Sequence, residues 1–322
     1  MYKIGIVGAG KISRRHAVAV ASHAKSRLVA IADIILQRAE MLASEFGTNS
    51  YVDYKLMFEK EELDAVIINL PHGLHCSAGE FFLKRGVHVL LEKPMANTVS
   101  ECDRLIAASM QGRAKLAVGH VQKYFPAHKK VREMVEQENY GKLCMTEEIR
   151  NSDYFTESRP SWFSQKKLSG GGVLMNVGAH SLDKLLYIVG GKIDSIHGNV
   201  TTKMPNHEVE GQVQLLLKMR EGISSVVSIS GYSPYLYEHY FYFEKATVKV
   251  TDTRSLAVDQ GQGFQEIMLP QVEPITEQFN EFILYLDNYP SRIVMPCYAR
   301  DIIMAIEKVY QQNGLCFPCR KE

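Results

Sequence analysis

The chain has 322 residues, which at roughly 150 residues per domain argues for two domains or one large one. Lys and Arg number 37 against 36 Asp and Glu, and this formal charge of +1 lacks the basic excess that draws proteins to nucleic acid or anionic lipid. With 46% hydrophobic and 23% charged residues, wholesale disorder is excluded, and no apolar run approaches the length that spans a bilayer.

Strand-like runs at 3–8, 28–33, 50–53, 65–70, 87–91 and 116–119 alternate with helical stretches. Several are continuously apolar, as strands buried on both faces must be. The chain opens directly on the first of them, so no signal peptide is expected, and its six cysteines are too sparse for a disulfide framework. A cytoplasmic protein is the expectation. A helix over 38–46 stops at Gly47 and one over 74–85 at Gly86, while Thr98 and Glu101 form a capping box opening a helix over 99–110. Repeated β-α-β units of this kind imply a parallel sheet with helices on both faces, a doubly wound Rossmann domain over 1–121.

Beyond 121 the rhythm changes. A helix is expected at 126–137, then strands at 144–153, 193–201, 212–219, 223–230, 240–244, 247–250 and 264–269. One strong helix, 173–189, interrupts them and is closed by Gly190-Gly191. Strands in succession imply a second domain over 122–322, α+β with a large open mixed or antiparallel sheet, ending in helices at 276–288 and 298–313.

The chemistry-bearing motifs begin at Gly8-Ala9-Gly10-Lys11-Ile12-Ser13, a G-x-G-x-x-S between the first strand and a helix. The glycines permit a tight turn and a close backbone approach to a pyrophosphate, which the helix N-terminus then holds. Asp33, at the end of the second strand, is placed to accept the adenosine ribose hydroxyls and to repel a 2′-phosphate, favouring NAD; Arg38 keeps NADP open. After the fifth strand comes Glu92-Lys93-Pro94, at the sheet end where such folds bind ligands. In the second domain, Gly170-Gly171-Gly172 runs into a helix on which Asn176, His180 and Asp183 are spaced i, i+4, i+7 and so share one face. Two possible metal sites, His72/His75/Cys76 and Cys316/Cys319, lack a convincing ligand set, and no metal is expected.

In combination, the G-x-G-x-x-S turn, Glu92-Lys93-Pro94 and Gly-Gly-Gly…Asn176…His180…Asp183 resemble the Gfo/Idh/MocA family of NAD(P)-dependent oxidoreductases over nearly the whole chain. Asn69-Leu70-Pro71…His75 is similar to that family's turn after strand four, and Arg159-Pro160-Ser161-Trp162 precedes the glycine run. The resemblance implies a dinucleotide cleft lined by the glycine turn, Leu70, Pro71, His72, His75, Glu92 and Lys93. It further implies that Lys93 polarises the reacting oxygen and His180 exchanges its proton, with Asn176 standing where many members carry aspartate. Lys123, where arginine is frequent, joins Gln122, Tyr154 and Trp162 as expected substrate contacts. The implied reaction is reversible hydride transfer between nicotinamide and a secondary alcohol or ketone of a sugar, inositol or related polyol. The implied assembly is a homodimer or homotetramer through the second-domain sheet. The alternative is a non-catalytic NAD-binding regulator of the same fold, which the Asn176 and Lys123 departures keep open.

Overall fold

Six strands alternate with helices from the start of the chain: β1 (Tyr2–Val7), β2 (Ser26–Ala32), β3 (Asn49–Tyr51), β4 (Ala65–Ile68), β5 (His88–Leu91) and β6 (Leu116–Val118). All pair in parallel, in the order β3-β2-β1-β4-β5-β6. The run Ala65–Ile68 is wholly inaccessible, which is why it reads as continuously apolar rather than alternating. Strand order reverses between β1 and β4, and that is where an open parallel sheet takes its ligand. A computed structural model provides this description, for residues 1–202, 207–220, 222–251 and 253–315. Cys316 and Cys319 lie outside the described residues.

The connecting helices are α1 (Ser13–Ser22), α2 (Leu36–Phe46), α3 (Tyr54–Lys60), α4 (His75–Leu83) and α5 (Val99–Gly112). Gly47 closes α2 in the left-handed region at φ 62°, and the Thr98 hydroxyl accepts the Glu101 N–H at 3.1 Å to open α5. Helix α3 was not expected. It is short, and its signal is local: Asp53 caps it by accepting the Lys55 N–H at 2.8 Å.

Two units emerge, Met1–Val121 with Glu273–Arg300, and Gln122–Val272 with the residues from Asp301 onward. Residues 273–300, expected in the second domain, therefore pack with the first. The reason is the apolar face of a late helix, Pro274–Leu286, whose Ile275, Phe279, Phe282, Ile283 and Leu286 join Ile4, Ile6, Ala17, Val20 and Leu28 in one core. Each such side chain contributes about 2 kcal/mol on burial. Tyr2 adds a hydrogen bond from its hydroxyl to Asp287 at 2.8 Å. Sequence periodicity marks a helix as amphipathic but does not say which core takes its apolar face.

The second unit begins with α6 (Pro126–Glu136) and β7 (Leu143–Asp153), followed by the single-turn α7 (Lys166–Ser169) and by α8 (Ala179–Val189). Then come β8 (Ile193–Thr201), β9 (Gln212–Met219), β10 (Ser224–Ser230), β11 (Tyr232–Phe243), β12 (Thr247–Thr251), β13 (Ser255–Asp259) and β14 (Gln265–Ile267). With Pro274–Leu286 as α9, the last helix is α10 (Pro296–Gln312). The eight strands form one sheet, β14-β13-β12-β11-β7-β10-β9-β8, mixed because β10 runs parallel to β7 while the other pairs are antiparallel. Strand β11 begins well before the expected 240. Pro234 falls where its register to β7 shifts, between Tyr232 and Leu236, so the missing N–H breaks no ladder bond there. Strand β13 was not expected at all. Along β9, Val213, Leu215 and Leu217 are buried while Leu216 between them is 58% exposed, so one face of the sheet is covered and the other is not.

Candidate functional site

The glycine turn is built by contacts that only small residues permit. Gly8 sits at φ +94°, and a Cβ there would come 2.5 Å from the Asn69 carbonyl oxygen. Ser13, fully buried, donates from its hydroxyl to the Gly8 carbonyl at 2.7 Å and accepts from the Asn69 amide at 3.0 Å. Serine at the third motif position thus ties the turn after β1 to the turn after β4. Gly10 differs: it is exposed, and a Cβ would meet no protein atom within 4 Å. Lys11 beside it is exposed and Ile12 half-buried.

Asp33 closes this region. One carboxylate oxygen accepts the Ala9 N–H at 2.8 Å and the other the Ile35 N–H at 2.8 Å. Each oxygen keeps a lone pair, so the fixed carboxylate can still accept from a ribose hydroxyl. Arg38 lies exposed on α2. The open space at Gly10, the anchored acid and the N-terminus of α1 fit a dinucleotide.

At the end of β5, Glu92 hydrogen-bonds at 2.9 Å to Nε2 of His16, a wholly buried residue of α1, and its second oxygen accepts the Lys93 N–H at 3.0 Å. Burial raises the Glu92 pKa, but the His16 and Lys93 contacts more than offset it, so the net shift is downward. His75 is equally buried, with Nδ1 2.8 Å from the Pro94 carbonyl and Nε2 2.8 Å from the Leu70 carbonyl. Both ring nitrogens are engaged by backbone, which removes His75 as a metal ligand. Cys76 directs its thiol to the Glu101 carbonyl at 3.6 Å, and among the described residues no cluster of His, Cys, Asp and Glu forms a metal cage. Leu70 and Pro71 are half-buried, as is Lys93, while His72 is buried.

In the second unit the expected continuous helix is instead a π-helical turn, Leu174–Gly178, leading into α8. Such turns concentrate at functional sites. Asn176 and His180 are half-buried on an otherwise buried stretch, whereas Asp183 is fully buried, so the predicted three-residue face keeps two members towards the surface. Gln122, expected as a substrate contact, is buried; its carboxamide nitrogen lies 3.1 Å from His180 Nδ1 and its N–H bonds Asp183 at 3.2 Å. His128 donates to its carbonyl at 2.9 Å. Tyr154 is also fully buried; its hydroxyl takes the Asn176 amide at 3.1 Å, and the Arg159 guanidinium lies 3.8 Å over its ring. Burial pushes the Tyr154 hydroxyl up to about 12. Both residues therefore hold the polar groups of the π-turn and α8. Trp162 is half-buried and stacked on Phe163 at 3.7 Å, and Lys123 is half-buried in the short turn Gln122–Tyr124.

Two residues escaped the sequence reading. His16 falls on the buried stripe Ser13, His16, Ala17, Val20 of α1, and a polar residue on an otherwise small and apolar stripe was the available signal. Glu210 is the other. Its carboxylate accepts the Gly172 and Leu174 N–H groups, each at 2.9 Å, and the Tyr310 hydroxyl at 2.8 Å. Burial raises the Glu210 pKa, and these N–H and hydroxyl donors offset only part of that rise. The glycine run exists for this contact: a Cβ on Gly172 would come 1.8 Å from the Glu210 carbonyl oxygen, and one on Gly171 2.0 Å from the Tyr310 hydroxyl. No local pattern links residues 172 and 210.

A parallel β3-β2-β1-β4-β5-β6 sheet with this glycine turn and anchored acid defines a dinucleotide-binding domain, here followed by a mixed-sheet domain. Residues 2–120 match the oxidoreductase family model with an NAD-binding Rossmann fold, and residues 128–249 match the GFO/IDH/MocA C-terminal domain. The chain belongs to the Gfo/Idh/MocA oxidoreductase family. It is 26% identical over 234 residues to a 1-carboxy-3-chloro-3,4-dihydroxycyclohexa-1,5-diene dehydrogenase of Comamonas testosteroni, covering 72% of this chain but only 59% of that protein. It is 25% identical over 270 residues to an inositol 2-dehydrogenase of Rhizobium meliloti, covering 81% and 79% of the two chains. Its fold is similar to that of the aldose-aldose oxidoreductase from Caulobacter crescentus complexed with glycerol, with a TM-score of 0.87, 22% identity and 97% of each chain covered.

Proposed function

We propose that this protein is an NAD-dependent dehydrogenase acting on a secondary alcohol, or the matching ketone, of a sugar, inositol or related polyol. The observation that carries the reading is the pair Asn176 and His180. They are the half-buried polar groups on a buried helix, and each is held by a fixed partner, Tyr154 and Gln122. A polar group on such a stretch is costly unless paired or used, and these two are paired while still reaching the surface. NAD, when bound, supplies or accepts the hydride. Gly8, Gly10 and the N-terminus of α1 would hold its pyrophosphate, and Asp33 its ribose hydroxyls, disfavouring the 2′-phosphate of NADP.

His180 takes the hydroxyl proton during oxidation and returns it during reduction, work suited to an imidazole at cellular pH. Lys93 is proposed to polarise the reacting oxygen through its ammonium group, stabilising the developing negative charge. Asn176 orients a substrate hydroxyl without adding charge. Replacing Lys93 with Met is expected to abolish turnover while NAD binding survives, followed by NADH absorbance over a panel of polyols and sugars. Unchanged turnover would remove the amine from the mechanism. A panel in which no polyol, sugar or ketone changes NADH absorbance, while NAD binds, would favour the regulator instead.

Assembly is proposed through the uncovered face of the second sheet, where Leu216, Met145 and Leu236 are exposed. Leu216→Glu is expected to lower the sedimentation mass of the assembly. A cytoplasmic setting is proposed from the sequence, whose six cysteines are too sparse for a disulfide framework.

A further inference from the structure

We propose that His16 and His75 are positioning residues for Lys93, and that His16 makes the placement of its amine depend on the dinucleotide turn. This rests on the reading that Lys93 serves the reacting oxygen. The turn carrying Lys93 is held on both sides by buried imidazoles. On one side His16 Nε2 bonds Glu92 Oε1 at 2.9 Å, and Glu92 Oε2 accepts the Lys93 N–H at 3.0 Å. On the other side His75 Nδ1 reaches the Pro94 carbonyl at 2.8 Å while its Nε2 reaches the Leu70 carbonyl at 2.8 Å. Residues 92, 93 and 94 each have backbone or carboxylate atoms in this clamp, which fixes the main chain from which the Lys93 side chain departs.

The chemistry of the atoms assigns the protons. A carboxylate only accepts, so His16 donates from Nε2; its Nδ1 makes no hydrogen bond among the described residues. Gly119 leaves room for this arrangement, since a Cβ there would approach the Glu92 carboxyl carbon to 3.2 Å. His75 faces two carbonyls, which also only accept, and only an imidazolium donates to both. Burial lowers the His75 pKa, so the neutral ring donates to one carbonyl at a time.

The connection to the dinucleotide turn is covalent and short. His16 lies one helical turn beyond Ser13, whose hydroxyl bonds the Gly8 carbonyl at 2.7 Å. A displacement of the turn on binding a pyrophosphate is carried by the first turn of α1 to His16, and by Glu92 to the Lys93 N–H. The glycine turn and the Glu-Lys-Pro turn therefore act as one unit, although they are about eighty residues apart in sequence.

Lysine selectively labelled with 13C at Cε, with Lys93 assigned by its loss in Lys93→Arg, reads this coupling in the full chain without any substrate. NAD is expected to shift the Lys93 signal in the native protein. His16→Gln keeps an N–H donor near the Nε2 position and is expected to retain the shift. His16→Asn and His16→Leu, which cannot reach Glu92, are expected to lose it while NAD affinity stays within about threefold. His75→Leu is expected to split or broaden the Lys93 signal before NAD is added.

An identical NAD-induced shift in native, Asn and Leu proteins would overturn the role of His16. So would equal loss of NAD affinity in the Gln and Asn variants, which would mark a purely structural residue. An unaltered Lys93 signal in His75→Leu would overturn the role of His75. These outcomes are separate from the Lys93→Met assay, whose failure would remove the amine from the chemistry and leave this coupling standing.

Discussion

The carboxamide of Gln122 lies 3.1 Å from Nδ1 of His180, and the Gln122 main-chain N–H bonds Asp183, one turn further along the same helix. A carboxamide can donate through nitrogen or accept through oxygen, so Gln122 is able to support either imidazole tautomer. An aspartate in its place would favour the imidazolium and fix the proton on Nδ1. The residue that orients the proposed proton-transfer group, His180, is therefore neutral, as is Asn176 four residues before it.

Placing a charge at that position is expected to move the working pH. Gln122→Glu raises the His180 pKa by about one unit or more through its carboxylate. Oxidation needs the neutral imidazole, so the acid limb of kcat/KM moves to higher pH, while reduction, which needs the imidazolium, persists further into the alkaline range. Gln122→Leu is expected to lower turnover roughly tenfold with no displacement of that kind, about 1.4 kcal/mol of transition-state stabilisation. The pH–rate profile with an active polyol from the panel checks both.

The two motif glycines are expected to fail differently. Gly10→Ala meets empty space, so stability should hold within about 0.5 kcal/mol, yet the thermal shift produced by NAD should vanish because the methyl occupies the approach to the pyrophosphate. Gly8→Ala must adopt φ +94° with its methyl 2.5 Å from the Asn69 oxygen, and it is expected to destabilise the protein even without NAD. Thermal unfolding with and without NAD separates the two cases.

Gly172→Ala drives a methyl into the Glu210 backbone at 1.8 Å, and backbone cannot move aside as a flexible side chain can. A loss of roughly 3 kcal/mol or more is expected, with the π-turn carrying Asn176 disturbed first. Urea unfolding followed by near-ultraviolet circular dichroism measures it. Native-like stability would mean that the glycine run is not there for close approach.

Stability is expected to rise between pH 8 and 10. Lys184 is fully buried against Glu148 at 2.7 Å and the Tyr237 hydroxyl at 2.6 Å, and burial pulls its pKa down from 10.5 to about 8. In this window the unfolded chain binds the proton that the folded chain has released, so raising the pH favours the folded state, by at most about 1.4 kcal/mol per pH unit. Below pH 8 both states carry the charge and the term is flat. Lys184→Met should remove the slope, as read from urea unfolding at pH 7.5 and 9.5.

Much of the first unit was legible because its signals are local. Continuous apolar runs, Gly47 and the Thr98–Glu101 pair are read within a few residues, and each has the conformation or bond its spacing implies. The Gly8–Ser13 motif and Asp33 fall within one β-α-β unit, so their meeting at the Ala9 N–H follows from topology alone. Less legible were the parts whose reason lies far away in sequence. Tyr154 and Gln122 have the composition of pocket residues, yet each is buried against a group on the π-turn or on α8. The π-turn itself leaves no mark in side-chain spacing, which is why Asp183 was expected beside Asn176 and His180 rather than in the core.

The chain by itself determined its alternation of strands and helices and its glycine turn, since each is written in contiguous residues whose propensities and periodicity agree, while the family resemblance rests on motifs scattered along it. Tertiary structure alone decided that helix 274–286 joins the first core, that Glu210 caps the glycine run from 38 residues away, and that His16 and His75 grip the Lys93 turn. These are choices among equally apolar faces and equally polar partners. They are settled by which groups burial brings together, because a buried charge or amide must find its partner wherever the fold supplies one.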